Sequence, residues 1–275
     1  GGANRYDGDH FGEITWMGTA GPTQIRDRYY DNTAIKDDVN LYAKATLEAS
    51  KGLFLFADMQ FRGIDYTFVG VNDDRRDIEG DYQFRFFNPK LGLSYETGNG
   101  ETWYASYAVA NREPVRNDFT DSQEGRAPKP ENLQNIEAGI RTQKGNLSYN
   151  ANFFYMRYKD QLVLTGQLND VGAYIRENVA NSFRTGIELD AAYRLSPKWT
   201  IAGNLTLSRN KIEEFTEYID DYSVEDFRQE VIVHTNTDIA FSPNIISAAI
   251  IDFRPFKNFE VSLLSKYVGN QFLDN

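Results

Sequence analysis

The chain has 275 residues, 41% hydrophobic and 25% charged, with 17 Tyr, 19 Phe, no Cys and a formal net charge of -11. That acidity argues against a nucleic-acid surface, because neutralising phosphates demands clustered Lys and Arg. The missing Cys removes disulfide scaffolds, zinc-thiolate sites and thiol nucleophiles, and no apolar run approaches the roughly 20 residues of a transmembrane helix.

In chain order, Gly1 to Phe11 is turn-rich and aromatic, followed by a short strand expected over Gly12 to Met17. Residues 1–36 read as one external loop, in which Tyr6 and His10 are placed to meet a ligand. From Val39 to Ala49, apolar Val39, Leu41, Ala43, Ala45 and Leu47 alternate with Asn40, Lys44, Thr46 and Glu48, so a strand there has one apolar and one polar face. A tight turn follows at Ser50-Lys51-Gly52. The charged stretch Val71 to Gly80 reads as a loop and offers Arg75 and Arg76 among Asp73, Asp74 and Asp77.

Pro89 to Glu96 alternates again and runs into a turn at Thr97-Gly98-Asn99-Gly100, and an aromatic strand begins at Trp103. Arg112, Arg116 and Asp118 lie in the long connection beyond it. Further turns fall at Lys144-Gly145-Asn146, Ser196-Pro197-Lys198 and Phe256-Lys257-Asn258. The clearest strand, Phe183 to Leu195, sets Ile187, Leu189, Tyr193 and Leu195 against Glu188, Asp190 and Arg194. An acidic loop from Glu213 to Glu230 carries Tyr222, His234 lies near the rim beyond it, and a last strand runs from Phe259 to about Gly269.

The tight turns recur at roughly 45 to 60 residues, with long charged connections between them. Short connections on one side and long ones on the other are the layout of an outer-membrane β-barrel. A half-buried soluble sheet alternates equally well. The aromatics favour the barrel: Tyr95, Trp103, Tyr193, Trp199, Phe256 and Phe259 each stand within a few residues of a tight turn, where a headgroup girdle belongs. The expected fold is therefore all-β, an antiparallel transmembrane barrel segment of about ten strands in five hairpins over residues 37–275. All five turns should share one end, with the loops near Asp74, Arg116, Gly172 and Asp221 at the other. Ile187, Leu189, Leu205 and Leu207 should face lipid, and Glu188, Asp190 and Asn204 the lumen.

Catalytic constellations lack their parts. The chain has only 2 His, with no Gly-x-Ser-x-Gly elbow, His-Glu-x-x-His pair or phosphate loop, so no catalytic residue, metal site or cofactor is assigned. A small outer-membrane barrel enzyme and a soluble β-rich glycan-binding module are the competing readings. The mixed charges of the long loops suit a hydroxylated or anionic ligand, or Ca²⁺ bridging lipopolysaccharide.

Between Trp103 and Ile140 the sequence resembles the barrels of TonB-dependent outer-membrane receptors. The resemblance rests on Trp103-Tyr104-Ala105-Ser106-Tyr107, Asn111-Arg112-Glu113-Pro114, Pro128-Lys129-Pro130-Glu131 and Glu137-Ala138-Gly139. Arg112, Pro114, Lys129, Pro130, Glu131, Glu137 and Gly139 match a Phe-Arg-Ala-Pro, Lys-Pro-Glu and Glu-Leu-Gly pattern, while Asn111 and Glu113 replace its Phe and Ala. Tyr155 to Leu162 and Asn178 to Glu188 look like the family's next strand pair.

The resemblance implies a twenty-two-strand barrel around an N-terminal plug, importing iron chelates, haem, cobalamin or glycans with energy from the TonB complex. This chain would be an internal piece of its second half, without the plug and with about three strands to follow. The implied partners are a ligand such as a ferric siderophore, the protein's own plug, the TonB complex, and outer-membrane lipid and lipopolysaccharide. Glu188, Asp190 and Arg194 would hydrate the lumen or contact the plug. Haem receptors of the family usually carry a His between the Arg-Pro and Pro-Glu segments, and here Glu113 to Pro130 contains none. A ferric siderophore is therefore expected ahead of haem, for which His10 stays a candidate contact from a distant loop, and ahead of cobalamin or a glycan, with Tyr6, His10, Arg75, Arg76, Arg112, Arg116, Asp118, Tyr222 and His234 as the candidate contacts.

Overall fold

The computed structural model describes residues 1–19, 21–122, 127–168, 172, 174–221 and 228–273. They form one antiparallel sheet with strands β1 (Gly2–Glu13), β2 (Arg28–Ser50), β3 (Leu53–Val71), β4 (Asp77–Glu96), β5 (Glu101–Arg112), β6 (Glu131–Lys144), β7 (Leu147–Leu168), β8 (Tyr174–Ser196), β9 (Trp199–Asp221), β10 (Arg228–Asp238), β11 (Ile245–Phe256) and β12 (Phe259–Val268). One short helix, α1 (Arg116–Thr120), sits between β5 and β6. Each strand pairs with its chain neighbour up to β9, whose first half pairs β11 and whose second half pairs β10.

All five tight turns share one rim, as their sequences require. The rim is stitched turn to turn: Glu96 N donates to Gly52 O at 2.8 Å, Gln143 N to Gly100 O at 3.2 Å, Arg194 N to Asn146 O at 2.9 Å, and Arg254 N to Lys198 O at 2.8 Å. Gly52, Gly98, Gly100 and Gly145 all adopt positive φ there, which explains why glycine marks these turns.

The exposure pattern is inverted relative to a soluble sheet. On β7 the apolar face leaves Phe153 at 46% and Tyr155 at 37% exposure, while Asn152 and Phe154 on the opposite face are 8% exposed. Cross-strand register continues that apolar face through Ile187↔Phe153, Leu189↔Ala151, Leu205↔Leu189 and Leu207↔Ile187. On the other face Asn152 Nδ2 donates to Glu188, Asn150 Nδ2 donates to Asp190, and Tyr104 Oη donates to Asn152 Oδ1. Apolar out and polar in suits a wall whose outer solvent is lipid. The six turn-flanking aromatics are all exposed, Tyr95 directly beside Trp103 and Trp199 stacked on Phe253 at 4.2 Å.

Four expectations need correction, one being the acidic loop from Glu213 to Glu230, most of which is strand because β9 continues to Asp221 and β10 begins at Arg228. The sheet has twelve strands rather than ten, because β1 and β10 lack the alternation that marks a strand in sequence. Residues 1–36 are not an irregular loop with a strand at Gly12 to Met17: Gly2–Glu13 pairs with Arg28 to Asn40 as a hairpin arm. The stretch Val71 to Gly80 is mostly strand, since Phe68 to Val71 pair with Gly80 to Asp77 and only residues 72–76 connect them. The asymmetry between the rims lies in overhanging strands, with β2, β8 and β9 each 23 residues long against the about 9–11 that cross a bilayer.

Candidate ligand site

The outer face shows where the overhang begins. Leu41, Phe61 and Phe87 stand in register as the last fully apolar row. Next come Val39, Gly63 and Arg85, then Asp37, Asp65 and Gln83. Arg85 Nη2 pairs with Asp65 at 2.7 Å and Arg5 with Asp37 at 3.5 Å, so the outer wall is charged from there on. Above that line the two faces reverse roles, and the inner face carries the large rings. On β3, Ile64, Tyr66 and Phe68 are buried inward, and on β4 Tyr82, Phe84 and Phe86 join them.

What buries them is the connection between β5 and β6, which folds inward as a strap. Phe119 on α1 enters the aromatic wall, 4.1 Å from Tyr82 and 6.0 Å from Phe68 between ring centroids. At the start of the strap Glu113, only 6% exposed, takes Lys36 Nζ at 2.6 Å and Arg62 Nη1 at 2.8 Å, while Arg62 also reaches Asp38. Burial alone would raise the Glu113 carboxyl, but the Lys36 hydrogen bond and the charges of Lys36 and Arg62 outweigh it and hold it below its ordinary range. Asp118 accepts from Val115 N at 2.8 Å, closing the first turn of α1, and faces Arg176 of β8 at 3.4 Å. Arg76 pairs with Asp74 and donates to Thr120 O at 2.9 Å. The strap thus runs as a chord from β2–β4 across to β8.

Beside the strap, β1 contributes Tyr6 and His10, joined by a 2.8 Å hydrogen bond. Arg116 Nη2 donates to Asn32 Oδ1 at 2.5 Å, and Asn32 is the cross-strand partner of His10. Burial, then the charge of Arg116, hold His10 below its ordinary value. Burial pushes the Tyr66 phenol up to about 12, although Arg116 opposes it.

Of the sequence-derived candidates, Tyr6, His10 and Arg116 therefore converge, and Asp118 and Arg76 serve as strap ties. Arg75 is exposed at the β3–β4 tip with φ 64. Arg112 pairs with Glu131 at 2.6 Å across β5–β6, and His234 meets Glu217 at 2.7 Å on the β9–β10 arm, so neither joins the corner. Tyr222 lies outside the described residues. Sequence reading passed over Lys36, Asp38, Arg62 and Asn32, and the inward rings Tyr66, Tyr82 and Phe119. The period-2 runs Ile64-Tyr66-Phe68 and Tyr82-Phe84-Phe86 were the signal available. Among the described residues no group of three or more His, Asp or Glu is placed to hold a metal ion.

A family model described as TonB dependent receptor-like, beta-barrel matches residues 2–274. No curated protein sequence matches the chain. Among solved structures the chain is similar to the ferric-catecholate import receptor Fiu from K12 E. coli, with 16% identity and a TM-score of 0.68 over 97% of this chain and 40% of that one. It is similar also to the siderophore receptor PiuA from Acinetobacter baumannii, with 16% identity, TM-score 0.66, and 89% and 34% of the two chains covered. For the ferric yersiniabactin uptake receptor FyuA from Yersinia pestis the values are 16%, 0.64, 90% and 37%. The chain thus spans 40% or less of these three relatives.

Proposed function

The chain belongs to the TonB dependent receptor-like β-barrel family, one of bacterial outer-membrane transporters rather than enzymes, and from that premise we propose that it forms part of an import receptor for a ferric siderophore. The supporting observation is the inner wall of the overhang, where Arg116, Tyr6, His10 and the rings held by the strap stand beyond the apolar band. A guanidinium beside phenol and imidazole donors suits an anionic chelate that arrives with its metal already coordinated. Haem ranks second, because the strap sequence offers no axial imidazole and the corner's own imidazole, His10, is engaged by the Tyr6 phenol. A plug inside the barrel and energy from the TonB complex are part of this proposal, the barrel framing the site and the plug supplying the moving part. A strain lacking the protein, grown with haem or with ferric siderophores as sole iron source, should fail on one or more siderophores and grow on haem. A defect confined to haem would overturn the reading.

A further inference from the structure

Residues four apart on a strand stand about 13 Å from one another, yet the Tyr6 and His10 rings are 6.2 Å apart between centroids and share a hydrogen bond. Gly8 permits this. A Cβ at position 8 would lie 2.4 Å from Tyr6 Oη, so a side chain there displaces the phenol that leans across it. A neutral phenol–imidazole pair carries one proton on each ring system, and their mutual bond uses one of the two, leaving one donor for a guest.

The nearby cation differs from the arginines around the strap. Arg62, Arg76, Arg112 and Arg176 each face a carboxylate. Arg116 donates instead to the neutral amide of Asn32, and its Nε is buried without a hydrogen-bond partner. Its positive charge stands beside the Tyr6–His10 pair, while the nearest acid on β1, Asp9, accepts from Thr33 Oγ1 at 2.8 Å. A bare metal cation is repelled by such a corner and an anionic oxygen is attracted. Three residues before Arg116, the Lys36–Glu113–Arg62 knot fixes where the strap leaves the wall.

Building on the import reading, we propose that Tyr6, His10 and Arg116 form an anion-recognition corner for a negatively charged oxygen group on the incoming chelate, with Gly8 and Glu113 as positioning residues. The corner selects among chelates by charge, so its signature is a preference and not mere binding.

The test uses the full-length receptor carrying this chain, titrated with a ferric tris-catecholate, which is anionic, and with a ferric trihydroxamate of zero net charge, following quenching of tryptophan fluorescence. Wild type should favour the anionic chelate. R116Q and G8A should each weaken that chelate roughly tenfold or more and the neutral one much less, R116K should retain most of the preference, and E113Q should narrow it. Heat-modifiable migration on gels verifies that each variant is a folded barrel. The proposal is overturned if wild type prefers the neutral chelate or binds no anionic one, or if R116Q affects both chelates equally or neither. Growth on neutral chelates alone would leave the import reading standing while the corner falls.

Discussion

Arg62 grips Glu113 with two parallel hydrogen bonds, Nη1 to Oε2 at 2.8 Å and Nη2 to Oε1 at 2.9 Å. This forked pair joins β3 to the strap across 51 residues of sequence, and Lys36 closes it from β2. E113Q keeps the shape and removes the charge, leaving two cations facing a neutral amide. We expect opening of the strap to become easier by about 1–3 kcal/mol, read from hydrogen exchange of the Val115 to Asp121 amides, with β2 and β3 amides in the band unchanged.

The same carboxylate sets a pH dependence. Its folded pKa is depressed, so its stabilisation is complete above the value of an unfolded Glu and fades as pH falls through the lower, folded one. Strap amides should hold their protection at neutral pH and lose it only on acidification below the ordinary carboxylate range. In E113Q the Glu113 contribution to that dependence should vanish. Equal acid sensitivity in both proteins would refute the assignment.

Phe119 is the apolar half of the anchor. F119A removes a ring stacked on Tyr82 and should cost the strap about 3–5 kcal/mol, enough to expose the 113–121 backbone to limited proteolysis while the barrel stays folded.

The two ends of the outer face should respond differently to charge. Leu189 lies within the apolar band beside Leu205 and Ala151, and L189R should destabilise the membrane-inserted barrel by about 2–4 kcal/mol. Val69 is equally outward and 59% exposed but lies beyond Arg85, so V69R should cost about 0–1 kcal/mol. Denaturant unfolding from lipid vesicles measures both.

At the stitched rim, Gly52 has φ 78 and a Cβ there would meet Glu96 O at 2.6 Å, whereas Gly145 has φ 59 and open space. G145A should cost about 1–2 kcal/mol from left-handed backbone strain alone, and G52A more. Thermal unfolding of the two variants gives the order.

What the sequence disclosed follows the lipid. Within the band one face must be apolar, so Val39 to Ala49 and Phe183 to Leu195 were legible, and the turns were legible because Gly52, Gly100 and Gly145 need positive φ. Beyond the band no lipid keeps the outer face apolar: on β3 and β4 the alternation survives with its sense reversed, the rings turned inward, and on the arms it disappears. That is why β1, with Tyr6-Asp7-Gly8-Asp9-His10, and β10, next to acidic residues, passed for loops. Residue type singles out Tyr6, His10 and Arg116 in the sequence, and the fold brings them together. The corner's support was hidden because Lys36 and Glu113 are separated by 77 residues, and nothing local in either announces the other. Glu113 and Asn111 stood out only as departures from the family pattern, and each proves to be tied to the wall, Asn111 through Asn88 and Asn132.

The apolar band also constrains the membrane itself. On β2 it runs from Val39 to Leu47 and on β4 from Phe87 to Tyr95, about 27 Å along a strand and, at a tilt near 40°, roughly 20 Å tall. A bilayer with a hydrocarbon core of about 30 Å has to pinch inward to seal against it, at fractions of a kcal/mol per ångström of mismatch. The wall is cut for a thin membrane, so short-chain lipids should be its better host, and the compartment that suits it is encoded in how soon Arg85 follows Phe87.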